Sequence, residues 1–130
     1  MRGMLAAVLA ALAVAVPGAG GTTIPFTATL VAPTHTPVAG PRWWYSVRVR
    51  SLAGRPIVAA VTVQIVDPFG GVHTATYDGT KKLILRRPFF GTFRDYLEFP
   101  RESRGFKLTV RVAVLARGAR RTIEYWIRAR

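Results

Sequence analysis

Two histidines and six carboxylates are the side chains best suited to hold a metal ion or to act as general acid and base: His35, His73, Asp67, Asp78, Asp95, Glu98, Glu102 and Glu124. With no cysteine in the chain, the candidate nucleophiles are Ser46, Ser51 and Ser103. None of the serines lies in a Gly-x-Ser-x-Gly elbow, and neither a Walker phosphate loop nor a His-Glu-x-x-His pair occurs. Asp95 and Glu98 are near enough in sequence to form a carboxylate pair, but Arg94 and Arg101 flank them, and acids so placed usually neutralise arginines. His35 sits in Pro33-Thr34-His35-Thr36-Pro37 and His73 begins an expected strand, so the two have no metal-ligand spacing. The inventory predicts no catalytic residues, no metal and no cofactor. A small hydrolase or a metal carrier would need these scattered groups to converge in a pocket.

Charge is the property that stands out. Nineteen Lys and Arg face six Asp and Glu, a net charge of +13. Residues 22–80 hold four basic and two acidic side chains; residues 81–130 hold fourteen and four. A GC-rich coding sequence accounts for arginine outnumbering lysine sixteen to three, but not for the shortage of acids. An excess of this size favours anionic partners.

The elements that position these charges follow from apolar residues at every second place. Phe26, Ala28 and Leu30; Tyr45, Val47 and Val49; Val61, Val63 and Ile65; Phe106, Leu108, Val110, Val112 and Val114; and Ile123, Tyr125 and Ile127 each read as one face of a half-buried strand. Weaker strands are predicted at Val72–Tyr77, Lys82–Arg86 and Tyr96–Phe99. Turn residues separate them: Gly54-Arg55-Pro56, Pro68 to Gly71, Asp78-Gly79 and Arg117-Gly118. No segment after residue 21 sustains a helical stripe.

The alternation turns Arg48 and Arg50 outward on one strand, Lys107 and Arg111 on a second, and Arg128 on a third. These five are the candidate anion-binding residues. The last two strands should pair as a hairpin, whereas Arg48 and Arg50 either extend the same patch or form a second one on another sheet. Trp44 and Trp126 also point outward; they either cover a loop or the sheet edge or are candidate aromatic contacts for a sugar ring, a lipid headgroup or a protein. Phe89, Phe90, Phe93, Tyr96 and Phe99 are expected to plug one end of the fold.

The first 21 residues differ from the rest. Arg2 precedes an apolar run of twelve, Leu5 to Val16, and Pro17-Gly18-Ala19-Gly20-Gly21 supplies small residues for cleavage. As a helix the run would span about 18 Å, well short of a bilayer core. The layout predicts a cleaved signal peptide over 1–21, with an uncleaved membrane anchor or a buried N-terminal helix as the alternatives, and one domain over 22–130, with no membrane span once the signal is removed. An exported chain without cysteine suits a bacterial cell envelope better than an animal secretory pathway.

Gly54-Arg55-Pro56-Ile57 through Ala60 and Thr62 resembles the Gly-x-Pro-Val-x-x-Ala-x-Val turn and strand of bacterial immunoglobulin-like and transthyretin-like (carboxypeptidase-regulatory-like) domains. Gly54, Pro56 and Ala60 match, with Ile57 and Thr62 in the two valine slots. The closing strands FKLTVRVAVLA and RTIEYWIRA look like the end of such sandwiches. The resemblance implies an all-β, immunoglobulin-like antiparallel β-sandwich of about seven to eight strands behind the signal-peptide helix. It implies a spacer, adhesive or partner-binding unit rather than an enzyme. The expected function is that of a secreted, non-catalytic envelope module adhering to anionic polymers or lipid headgroups through its basic C-terminal half. The alternative is an accessory subunit that binds an envelope protein through its tryptophans and a sheet edge. Nucleic acid is disfavoured, since the chain carries no reader motif.

Overall fold

The computed structural model describes residues 23–130. The expected signal peptide and its cleavage site lie outside the described residues. Eight strands follow in chain order: β1 (Phe26–Val31), β2 (Arg42–Ser51), β3 (Val58–Val66), β4 (Val72–Thr74), β5 (Arg87–Phe90), β6 (Thr92–Glu98), β7 (Lys107–Ala116) and β8 (Ala119–Arg128). Among the described residues the one helical piece is a 3₁₀ turn at Arg101–Ser103, and no helix is long and apolar enough to cross a membrane.

The smaller antiparallel sheet has the order β1-β2-β6. In the larger, β3, β7 and β8 are consecutive neighbours, and β4 and β5 share the other edge of β3 end to end. The two sheets stack as an antiparallel β-sandwich, and the chain crosses between them after β2, after β5 and after β6. Alternation explains the layers. Phe26 and Leu30, Tyr45 to Val49, Val61 and Val63, Val110 to Val114, and Ile123 to Ile127 contribute their inward side chains to one core. Each such aliphatic contributes about 1.5–3 kcal/mol when fully buried.

The β7–β8 hairpin closes on Arg117 and Gly118, both at positive φ (49° and 73°). That is the two-residue turn whose twist matches its strands. The β3–β4 turn is held differently: a carboxylate oxygen of Asp67 accepts from the amides of Phe69 and Gly71, at 2.8 Å each.

Two connections shape the molecule's edges. Gly91, between β5 and β6, carries the chain from the larger sheet to the smaller. Its N–H donates to Ile57 and its carbonyl accepts from Val49, one partner beside each sheet. Its φ is +71°, and a Cβ there would meet Pro56 Cβ at 2.7 Å, so glycine is required. The proline-studded segment 35–39 runs parallel to the end of β8. Arg128 donates to His35 O, Arg130 donates to Pro37 O, and Ala39 donates to Arg130 O.

Several local expectations need correction. The strand expected over Val72–Tyr77 ends at Thr74, and Phe106, expected to face inward, precedes β7 and is exposed. Lys82–Arg86 is not a strand; only Leu83 bridges to Thr76, because Asp78, Gly79 and Arg86 adopt positive φ and break the extended run. The strand expected at Tyr96–Phe99 runs instead from Thr92 to Glu98. The aromatic cluster does not act as one plug. Phe93 and Phe99 enter the core and Phe89 packs against it, whereas Phe90 points outward beside Val58 and is 65% exposed.

Candidate functional site

The outward side chains of β2 and β6 build one cationic face. Cross-strand register sets Arg42 beside Glu98, Trp44 beside Tyr96, Ser46 beside Arg94 and Arg48 beside Thr92. Within it the rings and guanidinium groups form a continuous ladder. The Arg42 guanidinium lies 4.4 Å from the Tyr96 ring centroid, Tyr96 meets Trp44 at 5.0 Å, and the Arg94 guanidinium lies 4.2 Å over Trp44. Arginine held by its flat face against a ring keeps the N–H edge available to an anion. An open cleft of about 310 Å³ adjoins Arg94 and Trp44, walled by Val31, Pro33 and Ser46.

Arg50, at the far end of this face, is committed elsewhere. Its Nη1 donates to Val49 O at 2.9 Å and to Gly91 O at 2.6 Å, and its Nη2 to Thr92 Oγ1 at 3.3 Å. It secures the crossing between sheets.

The second cationic face belongs to the larger sheet. Lys107 and Arg128 are direct cross-strand neighbours, and both are exposed. Arg111 Nε donates to Glu124 Oε2 at 3.0 Å, so its charge is offset. Trp126 is 44% exposed, and the His35 ring stacks nearly parallel to it at 4.2 Å and to Tyr125 at 4.0 Å. His35 Nδ1 also hydrogen-bonds the Trp126 carbonyl at 2.5 Å. Trp126 thus anchors the segment that runs along β8.

The seven candidate residues are therefore divided. Trp44, Arg48 and Arg50 lie on the smaller sheet, and Lys107, Arg111, Arg128 and Trp126 on the larger. The sheets pack about 10 Å apart with outer faces turned opposite ways, so the two groups form separate surfaces. Arg42 carries no expectation from the sequence, Arg94 is read there as a partner of the flanking acids, and Tyr96 as part of the aromatic plug. Arg94 sits two residues from Tyr96 and so shares its face, but only the β2–β6 register reveals Trp44 beneath it.

The titratable groups do not converge. Asp95 and Glu98, three apart on one strand, face opposite ways: Asp95 is 1% exposed and Glu98 lies outside. Asp95 accepts the Asp78 amide with both oxygens, at 3.0 and 3.2 Å. Burial raises its pKa despite that bond and one from the Tyr96 amide. The same burial, followed by the nearby Asp95 charge, pushes the Tyr45 hydroxyl far up. Asp67 moves the other way, lowered first by the Gly71 amide and then by His73, whose Nε2 is 3.2 Å from Oδ2. A second cleft of about 260 Å³ between β4 and β6 includes His73, Thr74, Tyr96 and Glu98. Among the described residues no three His, Asp or Glu side chains gather in metal-binding range.

No protein-family profile matches the chain, and no curated protein or solved structure matches it significantly.

Proposed function

We propose that this chain is a secreted, non-catalytic β-sandwich module that adheres to anionic polymers of a cell envelope. The observation that supports the reading is the scarcity of internal charge pairing. Residues 23–130 contain eighteen Lys and Arg, and the one Lys or Arg ion pair among the described residues is Arg111 with Glu124. Unpaired cations in a folded chain leave an attractive field outside it, and that field is screened over roughly 10 Å at 0.1 M salt. With cations on both outer faces, the charge faces outward in two directions, which suits adhesion to an extended polymer.

The test is retention of the protein on immobilised acidic polymer at rising salt. Binding that falls steeply between low and physiological ionic strength is expected. Retention that ignores salt, or no retention at low salt, rules the reading out.

A further inference from the structure

The geometry points to the outer face of β2 and β6 as a specific site for a linear acidic polysaccharide, bound through Arg42, Arg48 and Arg94. This deepens the adhesive reading and rests on it. Three features separate this face from a diffuse cationic surface.

The first is preorganisation. Arg94 is stacked on Trp44 and Arg42 on Tyr96, at 4.2 and 4.4 Å, with Trp44 and Tyr96 in mutual contact. The rings fix where each guanidinium plane lies, so little rotamer freedom remains to be lost when a carboxylate meets the planar fork. Trp44 is a positioning residue here, since one face of its ring is already covered by Arg94.

The second is spacing. Arg42 and Arg48 are six residues apart on one strand, about 20 Å, and Arg94 falls on the row of Ser46 between them. Three cations spread along that length can meet several anionic groups of one extended polymer at once. Glu98 is the one acid on the outer face of β2 and β6, and it makes no ion pair with Arg42.

The third is what surrounds the cations. Thr29, Ser46 and Thr92 lie on the rows of Arg48 and Arg94, and a hydroxyl both donates to and accepts from a sugar hydroxyl. The cleft beside Arg94, walled by Val31 and Pro33, gives an apolar wall for the edge of a ring. A bilayer would favour protruding apolar side chains, and the most exposed of those stand in turns, as Phe69 and Leu52 do, or on the other sheet, as Val58 and Phe90 do. Single-stranded nucleic acid would favour open rings for base stacking, and the Trp44 ring already carries Arg94 on one face and meets Tyr96.

The experiment measures the affinity of the whole chain for polygalacturonate at about 0.15 M salt, with phosphatidylglycerol vesicles and oligo-dT as comparison probes. Arg94→Lys keeps the charge and loses the fork and the stacking, and should weaken binding about tenfold. Trp44→Leu keeps every charge and should weaken binding severalfold, with thermal melts confirming that both variants are folded. Arg128→Lys, on the opposite face, should change affinity less than twofold. Equal effects of Arg94→Lys and Arg128→Lys overturn the site while leaving general adhesion in place. Vesicles or oligo-dT bound as tightly as polygalacturonate overturn the sugar assignment. Absence of polymer binding by the unaltered chain at low salt overturns both this site and the adhesive reading.

Discussion

Arg50 Nη1 donates to the Gly91 carbonyl at 2.6 Å, at the point where the chain leaves one sheet for the other. A residue whose alternation marks it as an anion contact is in fact a brace. Replacing it with glutamine removes three donor contacts from a half-buried junction and should cost about 1.5 kcal/mol or more in denaturant melts. Retention on acidic polymer should fall no more than removal of any one exposed arginine would cause. A large loss of binding with unchanged stability would reverse the assignment.

Gly91→Ala should be the more damaging change at the same junction. The added methyl meets Pro56 Cβ at 2.7 Å and the backbone sits at φ +71°. Overpacking and a left-handed backbone each cost about 1–3 kcal/mol. A melting temperature within a degree of the parent would show that the crossing has slack.

The buried carboxylate of Asp95 makes stability depend on pH in a defined direction. Burial raises its pKa above the ordinary value of 3.8, so the folded chain binds this proton more tightly than the unfolded chain. The stability linked to it is present below 3.8 and is lost as pH rises through the folded value. Asp95→Asn does not titrate, so it should gain on the parent between about pH 4 and pH 7. Asp95→Ala strands the Asp78 amide and should be less stable than the parent throughout. Melts of the three proteins at both pH values decide this; a parent that gains on the Asn variant as pH rises would contradict it.

Tyr45 and Tyr125 each bury a hydroxyl with no protein partner. Tyr45→Phe removes a desolvated polar atom and keeps the ring packed against Trp43 and Phe93. Its stability should equal or exceed the parent's by up to about 1 kcal/mol. A loss beyond 1 kcal/mol would mean that the hydroxyl has a role the packing does not reveal.

Trp126→Ala should release the segment beside β8, since His35 stacks on that ring and accepts the Arg128 amide through its carbonyl. Hydrogen exchange at Arg128 and Arg130 should accelerate more than at Val112 in the centre of β7. Unchanged protection at those two amides would assign the anchoring to Tyr125 alone.

Most of the sandwich is legible from side-chain parity. Tyr45, Val47 and Val49, or Ile123, Tyr125 and Ile127, alternate so regularly that a single choice of inward face accounts for them. Parity also separates Asp95 from Glu98. What parity does not encode is which strands are neighbours. Arg48 and Lys107 are both outward, and only the sheet order puts them on opposite surfaces. The stack of Arg94 on Trp44 joins residues fifty positions apart through the β2–β6 register, which no local pattern carries. Gly91 lies between Phe90 and Thr92 with nothing nearby to mark a change of sheet. The reason it must be glycine is the approach of Pro56, a contact made by folding.

The segment that follows β8 in parallel has a bearing on how the molecule behaves when crowded. A bare strand edge invites a neighbouring chain to zip onto it and start an aggregate. Here the last residues of β8 already have their edge groups occupied by His35 and Pro37, and Pro33, Pro37 and Pro41 have no amide hydrogen to offer a newcomer. Further back along the same edge stand Arg120 and Arg121, so two copies meeting through that same stretch would set like charges against each other. A chain this cationic is thereby guarded against sticking to itself.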